Sequence, residues 1–421
     1  MLIMFKVKNF TSFKEEAILD MRATSYKQHP NHFLETHDGT KLLKTVAIYG
    51  ANASGKSNFV AAMFFFEKFI FSQLYTKNET MNTETFNKEF GPRLEPFRLA
   101  EDKNKATEFD IIFTYNNKTM QYGFECMDDE IISEWYFIDN KKVFERQYNK
   151  LTFGKTYDKY INDYTKLSKE RLYLSVLEYF LADKEKVIVL ADLLSFFEKE
   201  YDVYLEIFFE SSIKHIVRSV NLNNRFLEDE EYRKKIEGYL VKIDVGIKGL
   251  LIEEKIYIDE KTNKEKKHKI LKTKHDVFNS DNNVCGQVDF SLEQESTGTI
   301  RFLAYIQEVV NMVEEGGVLV IDEMSSRLHP LLTKLIIDIF QDSKNTKAQL
   351  IFTTHDVSLL NNVQFRRDEV VFIDKNNRGE STLYSLSDLR VRDDATFNKD
   401  YMQGKYGAIP IFDYNDILGG E

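Results

Sequence analysis

Residues 45–58 read TVAIYGANASGKSN, and this stretch decides the fold. Thr45 to Tyr49 is a short apolar run, the pattern of a buried strand, and Gly50 then turns the chain. Gly50 to Ser57 fits the phosphate-loop pattern GxxxxGK[ST] without a mismatch. The two glycines let the backbone curl so that its N–H groups face phosphate oxygens. The candidate nucleotide-binding set is therefore Gly50, Asn52, Ala53, Ser54, Gly55, Lys56, Ser57 and Asn58. In it Lys56 is placed to contact the β- and γ-phosphates, and the Ser57 hydroxyl to ligate Mg²⁺. Asn58 to Tyr75 reads as an apolar helix, and its N-terminal dipole adds to the anion site.

Two further strand ends point to the same place. Val318 to Ile321 is apolar and ends in Asp322-Glu323. Leu350 to Phe352 is apolar and ends in Thr353-Thr354-His355-Asp356. Parallel strands of one sheet place their carboxyl ends along one edge, so Gly50, Asp322 and His355 are expected to meet. Asp322 is expected to hold Mg²⁺ through water, and Glu323 to polarise the attacking water as general base. His355 is expected to hydrogen-bond the γ-phosphate and that water. Glu295-Ser296-Thr297-Gly298-Thr299 precedes a helix over Ile300 to Val313. Hydroxyls and a glycine at a helix start make an anion site, with an ordinary helix cap as the bland alternative.

The chain has 421 residues, enough for two or three domains at ~150 residues each. With 57 Lys+Arg against 68 Asp+Glu the formal charge is −11, which argues against a surface that grips nucleic acid all round. A hydrophobic share of 43% with only 5 Pro excludes disordered and collagen-like classes. The 2 cysteines, Cys126 and Cys285, belong to no CxxC pair. This excludes a disulfide framework or a cysteine zinc site and fits a reducing cytoplasm. Lys6 and Lys8 interrupt the apolar stretch that a signal peptide needs, and Glu67 and Lys68 break the apolar run Ala61 to Leu74. No bilayer span is expected. His29, His32 and His37 form HxxH with a third histidine nearby, a spacing that does not by itself build a zinc site.

Along the chain, Ile3, Phe5 and Val7 alternate with polar positions as in a half-buried strand. Glu108 to Tyr148 reads as an antiparallel meander turning at Asn116-Asn117, Asp128-Asp129 and Asp139-Asn140. Thr165 to Val241 is mostly helical in pattern. Ile252 to Ile258 and Lys267 to Thr273 read as a hairpin around Asp259 to Lys266. Lys261 to Lys274 holds seven lysines, either a phosphate-backbone contact or a solvated hairpin tip. Val370 to Tyr384 reads as two strands, and Tyr401 to Pro410 as a segment that docks back on the preceding domain. No internal repeat or sustained heptad pattern is present.

The series GANASGKS, ESTGT, VLVIDE and TTHD resembles the nucleotide-binding head of ABC-type ATPases, in the SMC, RecF and OLD lineage. The opening FKVKNFTSFKE looks like the first strand of those heads. The tail DYMQGKYGAIP at 400–410 resembles abortive-infection ATPases of the AbiL/RloA type, bacterial antiphage proteins encoded beside a separate small effector. The resemblance covers about residues 1–150 and 285–412.

That resemblance implies an α/β fold: a P-loop NTPase, an ABC-type head with an antiparallel β-subdomain and a helical insertion. It implies a first head lobe at 1–154, an insertion and hairpin at 155–284, and a second lobe with the tail at 285–421. The cofactors implied are ATP and Mg²⁺, with Lys56, Glu323 and His355 in catalysis and Ser57 and Asp322 on the metal. Ser296, Gly298 and Thr299 would bind the γ-phosphate held by a partner subunit, because two heads of this kind sandwich two ATP molecules. Ser325 to His329 would then cross the dimer interface. Thr297 departs from the family by replacing the first glycine of LSGGQ. Gln121 and Gln294 are the candidates for the glutamine that couples Mg²⁺ to the inserted arm. Only 66 residues follow His355, fewer than the nuclease domain of full OLD proteins needs. The expected partners are a homodimer or higher homo-oligomer and a separate nuclease or toxin effector. Three functions stay open: an antiphage sensor ATPase, a RecF-like repair ATPase that contacts DNA through Lys261–Lys274, and a nucleotide-held scaffold.

Overall fold

The computed structural model describes residues 1–74, 94–102, 105–128, 130–204, 216–217, 220–221, 223–243, 246–259, 264–326, 328–392 and 395–410, with the backbone alone at 224, 255–259 and 264–268. The chain divides into two units. The first comprises Met1–Leu205, Glu315–Ser326 and Ile337–Glu421, and the second Glu206–Glu314 and Arg327–Ile336.

The first unit is an α/β body built on a six-stranded sheet. Its order is Tyr201–Tyr204, Gly317–Ile321, Ala348–Thr353, Thr45–Tyr49, Val370–Lys375 and Ser381–Ser385. The first five run parallel and the last antiparallel. Gly317–Ile321, Ala348–Thr353 and Thr45–Tyr49 are buried at every position. That is why each reads as an unbroken apolar run rather than an alternation.

A seven-stranded antiparallel sheet forms the other layer, in the order Lys150–Phe153, Lys141–Gln147, Glu130–Ile138, Lys118–Met127, Thr107–Tyr115, Leu2–Lys8 and Ala17–Asp20. Asn116 and Asn117 have φ of 49° and 59°, and Asp139 and Asn140 the same pair of values. Two left-handed residues in a row suit the tight hairpin turns that join right-twisted strands, and Asn and Asp tolerate them best.

Helix Lys56–Leu74 follows strand Thr45–Tyr49 and is apolar nearly all round, as a helix covered on every side must be. Phe66 stacks on Phe124 at 5.5 Å, Phe65 on Phe109 at 5.4 Å, and Phe59 meets Phe5 edge-on at 5.8 Å. Each buried phenyl contributes about 1.5–3 kcal/mol, so this ladder anchors the helix that carries Lys56.

The second unit holds helices Asn224–Glu228 and Glu230–Ile243, a three-stranded sheet and most of helix Thr297–Glu315. The sheet pairs Ile247–Asp259 with Lys264–Phe278, and that strand with Val284–Ser291. The Tyr232 hydroxyl donates to the Gln307 carbonyl at 3.0 Å, tying helix to helix.

Several elements differ from the sequence reading. The phosphate-loop helix starts at Lys56, two residues earlier than the apolar pattern suggests, because Lys56 and Ser57 carry no apolar signal. Its far end at Tyr75 lies outside the described residues. Tyr201–Tyr204, inside the stretch read as helical, is a strand beside Gly317–Ile321. Four residues are too few for either period to register. Ala17–Asp20, Phe33–Glu35, Lys41–Leu43 and Val284–Ser291 are also strands without a legible signal. The hairpin strands run longer than the apolar pattern, from Ile247 to Asp259 and from Lys264 to Phe278. The segment after Phe397 lies on the parallel sheet. Tyr401 stacks on Phe372 at 5.4 Å, and the Tyr384 hydroxyl donates to the Tyr406 carbonyl at 2.7 Å. Among the described residues no helix is long and apolar enough to cross a membrane.

Candidate functional site

Strands Gly317–Ile321, Ala348–Thr353 and Thr45–Tyr49 are neighbours and parallel, so their carboxyl ends lie side by side. Lys56, Asp322, Glu323 and His355 follow those ends and meet. Lys56 Nζ lies 2.9 Å from His355 Nε2, and Glu323 Oε1 lies 3.1 Å from the same ring nitrogen. The Lys56 ammonium also donates to the Gly50 and Ala51 carbonyls, each at 3.1 Å. The Ser57 hydroxyl hydrogen-bonds the Asp322 carboxylate.

The loop itself is a curled cradle. Ala53 has φ +61° and Gly55 φ +115°. A Cβ on Gly50 would stand 2.4 Å from the Ile373 carbonyl oxygen, so only glycine fits between the loop and the neighbouring strand. The loop is fastened from behind by residues whose supporting role no motif reveals. Ser381 donates to the Ser54 carbonyl at 2.6 Å, its oxygen lies 2.8 Å from Ser12 Oγ, and Asn58 Nδ2 donates to Ser12 Oγ at 2.8 Å. Asn58 therefore faces the support of the loop. Ser54 Oγ is buried with no hydrogen-bond partner among the described residues.

The charges are tuned by burial and by each other. Burial pushes the Lys56 ammonium down from its ordinary value, against the pull of Glu323 and Asp322. Burial pushes the Asp322 carboxyl up, opposed by hydrogen bonds from Thr353 and Ser57. Burial would raise Glu323 too, but the hydrogen bond and charge of His355, with Lys56, bring its carboxyl below the usual value. Glu323 also has φ +51°, a left-handed conformation that costs a side-chain residue about 1–2 kcal/mol.

The cradle suits a phosphate-bearing ligand with a divalent cation. It offers curled backbone, one buried ammonium, an unpartnered buried hydroxyl, and a serine–aspartate pair of hard oxygen donors.

Ser296, Gly298 and Thr299 belong to the second unit. Ser296 Oγ accepts the Thr299 N–H at 3.1 Å and lies 2.8 Å from Thr299 Oγ1, which is an N-cap on helix Thr297–Glu315. Gly298 is open, with nothing nearer to its Cβ position than Ser296 Oγ at 3.8 Å. Ser325 lies in the first unit, 2.5 Å from Thr354 Oγ1, and His329 lies in the second, capping helix Pro330–Gln341 through its carbonyl to the Leu332 N–H at 2.7 Å. Gln121 donates to both oxygens of Asp110, at 3.1 and 2.9 Å, inside the antiparallel sheet. Gln294 accepts the Ser291 N–H at 2.9 Å.

The lesser signals resolve locally. His32 Nδ1 pairs with Glu369 at 2.9 Å and its ring stacks on His29 at 4.5 Å, and no group of three or more His, Cys, Asp or Glu side chains that could hold a metal occurs among the described residues. Lys269 pairs with Glu228 at 2.8 Å and Lys272 with Glu253 at 3.1 Å. The side chains of Lys261, Lys264, Lys266 and Lys267 lie outside the described residues.

Fold and site together define a P-loop ATPase with an ABC-type head: a phosphate loop, an acidic strand end and a strand-end histidine on adjacent parallel strands. The family model described as "AAA domain, putative AbiEii toxin, Type IV TA system" matches residues 46–361, three quarters of the sequence, and the chain belongs to that family. No curated protein matches it. Among solved structures it is similar to an SMC head bound to the C-winged helix domain of ScpA, at 12% identity and TM-score 0.43, covering 91% of this chain and 97% of that one. It is also similar to the SMC head domain from Thermotoga maritima, at 13% identity and TM-score 0.39, covering 93% and 99%.

Proposed function

We propose that the chain binds and hydrolyses Mg²⁺·ATP, closes on a second copy around the nucleotide, and acts as the sensor of an antiphage system that controls a separate effector. The observation that carries this reading is the meeting of Lys56, Asp322, Glu323 and His355 at adjacent strand ends. Residues Gly50 to Ser57 cradle the phosphates with Asn58 bracing the loop from behind, Lys56 neutralises the β- and γ-oxygens, and Ser57 and Asp322 would hold Mg²⁺, which would supply charge neutralisation. Glu323, kept ionised by His355, takes the proton of the attacking water, and His355 orients that water. Ser296, Gly298 and Thr299 close over the phosphate bound to the partner copy, so ATP is a dimerisation ligand. Of the segment 155–284 expected between head lobes 1–154 and 285–421, the part up to Tyr204 builds into the first unit, and the part that falls in the second unit carries the partner platform.

The defence reading is supported by the family's own description, which names a toxin system. The ion pairs of Lys269 and Lys272 favour a protein-controlled ATPase over a DNA-binding one, because those cations already face carboxylates. Two measurements test the proposal. ATP turnover by the purified chain should vanish on Lys56→Ala, and its mass by sedimentation should double with ATP. Phage plating efficiency should fall only when the chain and its genetic neighbour are both present. A chain that neither turns over ATP nor changes mass sinks the reading.

A further inference from the structure

Thr353 closes the central strand Ala348–Thr353 and is fully buried. Its hydroxyl donates to Asp322 Oδ1 at 2.6 Å and accepts the Glu323 N–H at 2.7 Å. Its carbonyl oxygen accepts the Met324 N–H at 3.1 Å. A hydroxyl has one proton. That proton points at Asp322, so a lone pair must receive the Glu323 N–H, and the rotor has one orientation.

The need for this clamp is visible in the sheet. The parallel ladder between Gly317–Ile321 and Ala348–Thr353 ends at Ile321 opposite Phe352. Asp322 to Met324 then turn away, and Glu323 takes the left-handed φ of +51°. Beyond the ladder the Tyr204 carbonyl holds the Asp322 N–H at 3.0 Å, while the N–H groups of Glu323 and Met324 hang on Thr353. One residue along, Thr354 Oγ1 lies 2.5 Å from Ser325 Oγ and accepts the Asp356 N–H at 2.9 Å, so the fastening continues toward His355.

We infer that Thr353 is the positioning residue of the site: its hydroxyl fixes the metal-side carboxylate of Asp322 and the water-side residue Glu323 relative to one another. The inference rests on the ATP-hydrolysing reading above. It separates two functions that the loop residues combine. Phosphate binding belongs to Gly50–Ser57 and does not touch Thr353. The Asp322 side of metal holding and the placing of Glu323 for water activation both lean on this one hydroxyl.

The test uses the full chain and four variants. Thr353→Val keeps the shape and β-branching of the side chain while deleting both hydrogen bonds. Thr353→Ser keeps the hydroxyl. Thr353→Ala, which also lacks the hydroxyl, is read in place of valine if the valine variant does not fold. Lys56→Ala is the control for the ATPase reading. Mn²⁺ binding is followed by electron paramagnetic resonance in the presence of a non-hydrolysable ATP analogue, beside kcat, KM for ATP and the Mg²⁺ half-saturation.

Thr353→Val should weaken Mn²⁺ binding and lower kcat, each by about 10- to 100-fold, with KM for ATP within about threefold of the parent. Thr353→Ser should restore both. A folded Thr353→Val that holds Mn²⁺ and turns over like the parent overturns the inference. So does a folded Thr353→Ser that fails as valine does, because packing rather than the hydroxyl would then matter. If the parent shows no turnover sensitive to Lys56→Ala, the ATPase reading falls, and Mn²⁺ binding alone decides the role of Thr353.

Discussion

Lys56 Nζ rests 2.9 Å from His355 Nε2, so the loop lysine and the strand-end histidine are joined directly. The same ammonium holds the Gly50 and Ala51 carbonyls. Lys56→Ala removes the one cation that these atoms surround. Nucleotide affinity should fall by about 100-fold or more, as expected for losing charge-assisted contacts to a polyphosphate. Equilibrium titration with a fluorescent ATP analogue checks this, with an unchanged circular dichroism spectrum as control.

Glu323→Gln keeps the size and the left-handed backbone of Glu323 but cannot accept a proton from water. Turnover should drop by about 10²- to 10⁴-fold, while ATP affinity holds. The ATP-bound dimer should accumulate, visible as a doubled mass that persists through gel filtration with ATP. A variant that hydrolyses ATP at the parental rate ends the base assignment.

Gly55 has φ +115°, and a Cβ there would stand 2.5 Å from Ser381 Oγ and 2.8 Å from Ser12 Oγ. Gly55→Ala therefore meets both backbone strain and the serine pair that fastens the loop. Stability should fall by about 1–3 kcal/mol, read as a lower urea midpoint. Nucleotide binding should weaken in parallel. A variant with parental midpoint and affinity contradicts the close approach described here.

Glu67 lies in the middle of the phosphate-loop helix, buried, with Oε2 unpartnered among the described residues. Burial raises its carboxyl to about 7 from 4.5, only partly offset by Lys68. The folded chain thus binds more protons than the unfolded chain between those two values. Stability must fall as pH rises through that window. Glu67→Gln removes the titration. Its unfolding free energy should exceed the parent's at pH 8 by about 1–3 kcal/mol, and the gap should narrow toward pH 5. An equal gap at both pH values would show that Glu67 does not titrate there.

Much of the head was legible because its signals are local. Glycines at Gly50 and Gly55, an apolar run, and a polar tip report a strand, a turn and a helix without reference to the rest of the chain. The hairpin turns at Asn116-Asn117 and Asp139-Asn140 are legible for the same reason. Tyr201–Tyr204 was not, because its identity as a strand comes from pairing with Gly317–Ile321, more than a hundred residues away. Helices Tyr173–Phe180 and Ala191–Lys199 read as parts of one helical stretch, yet Leu174, Leu177, Phe196 and Phe197 join the core around Phe66 and Phe124. Periodicity reports that a face is apolar, not which surface covers it.

By itself the sequence determined the phosphate loop, the two acids after Ile321, the histidine after Thr354, and hence the class of fold. The tertiary structure alone decided how those pieces are held. Ser381 lies in no motif, and the stretches that hold Ser12 and Thr353 assign them no role, yet they orient the loop, the acids and the turn between them. Their role is a matter of distance. A hydroxyl becomes a clamp only when folding brings it within hydrogen-bond reach of a particular carboxylate, carbonyl or N–H, and nothing in the order of residues along the chain records that reach.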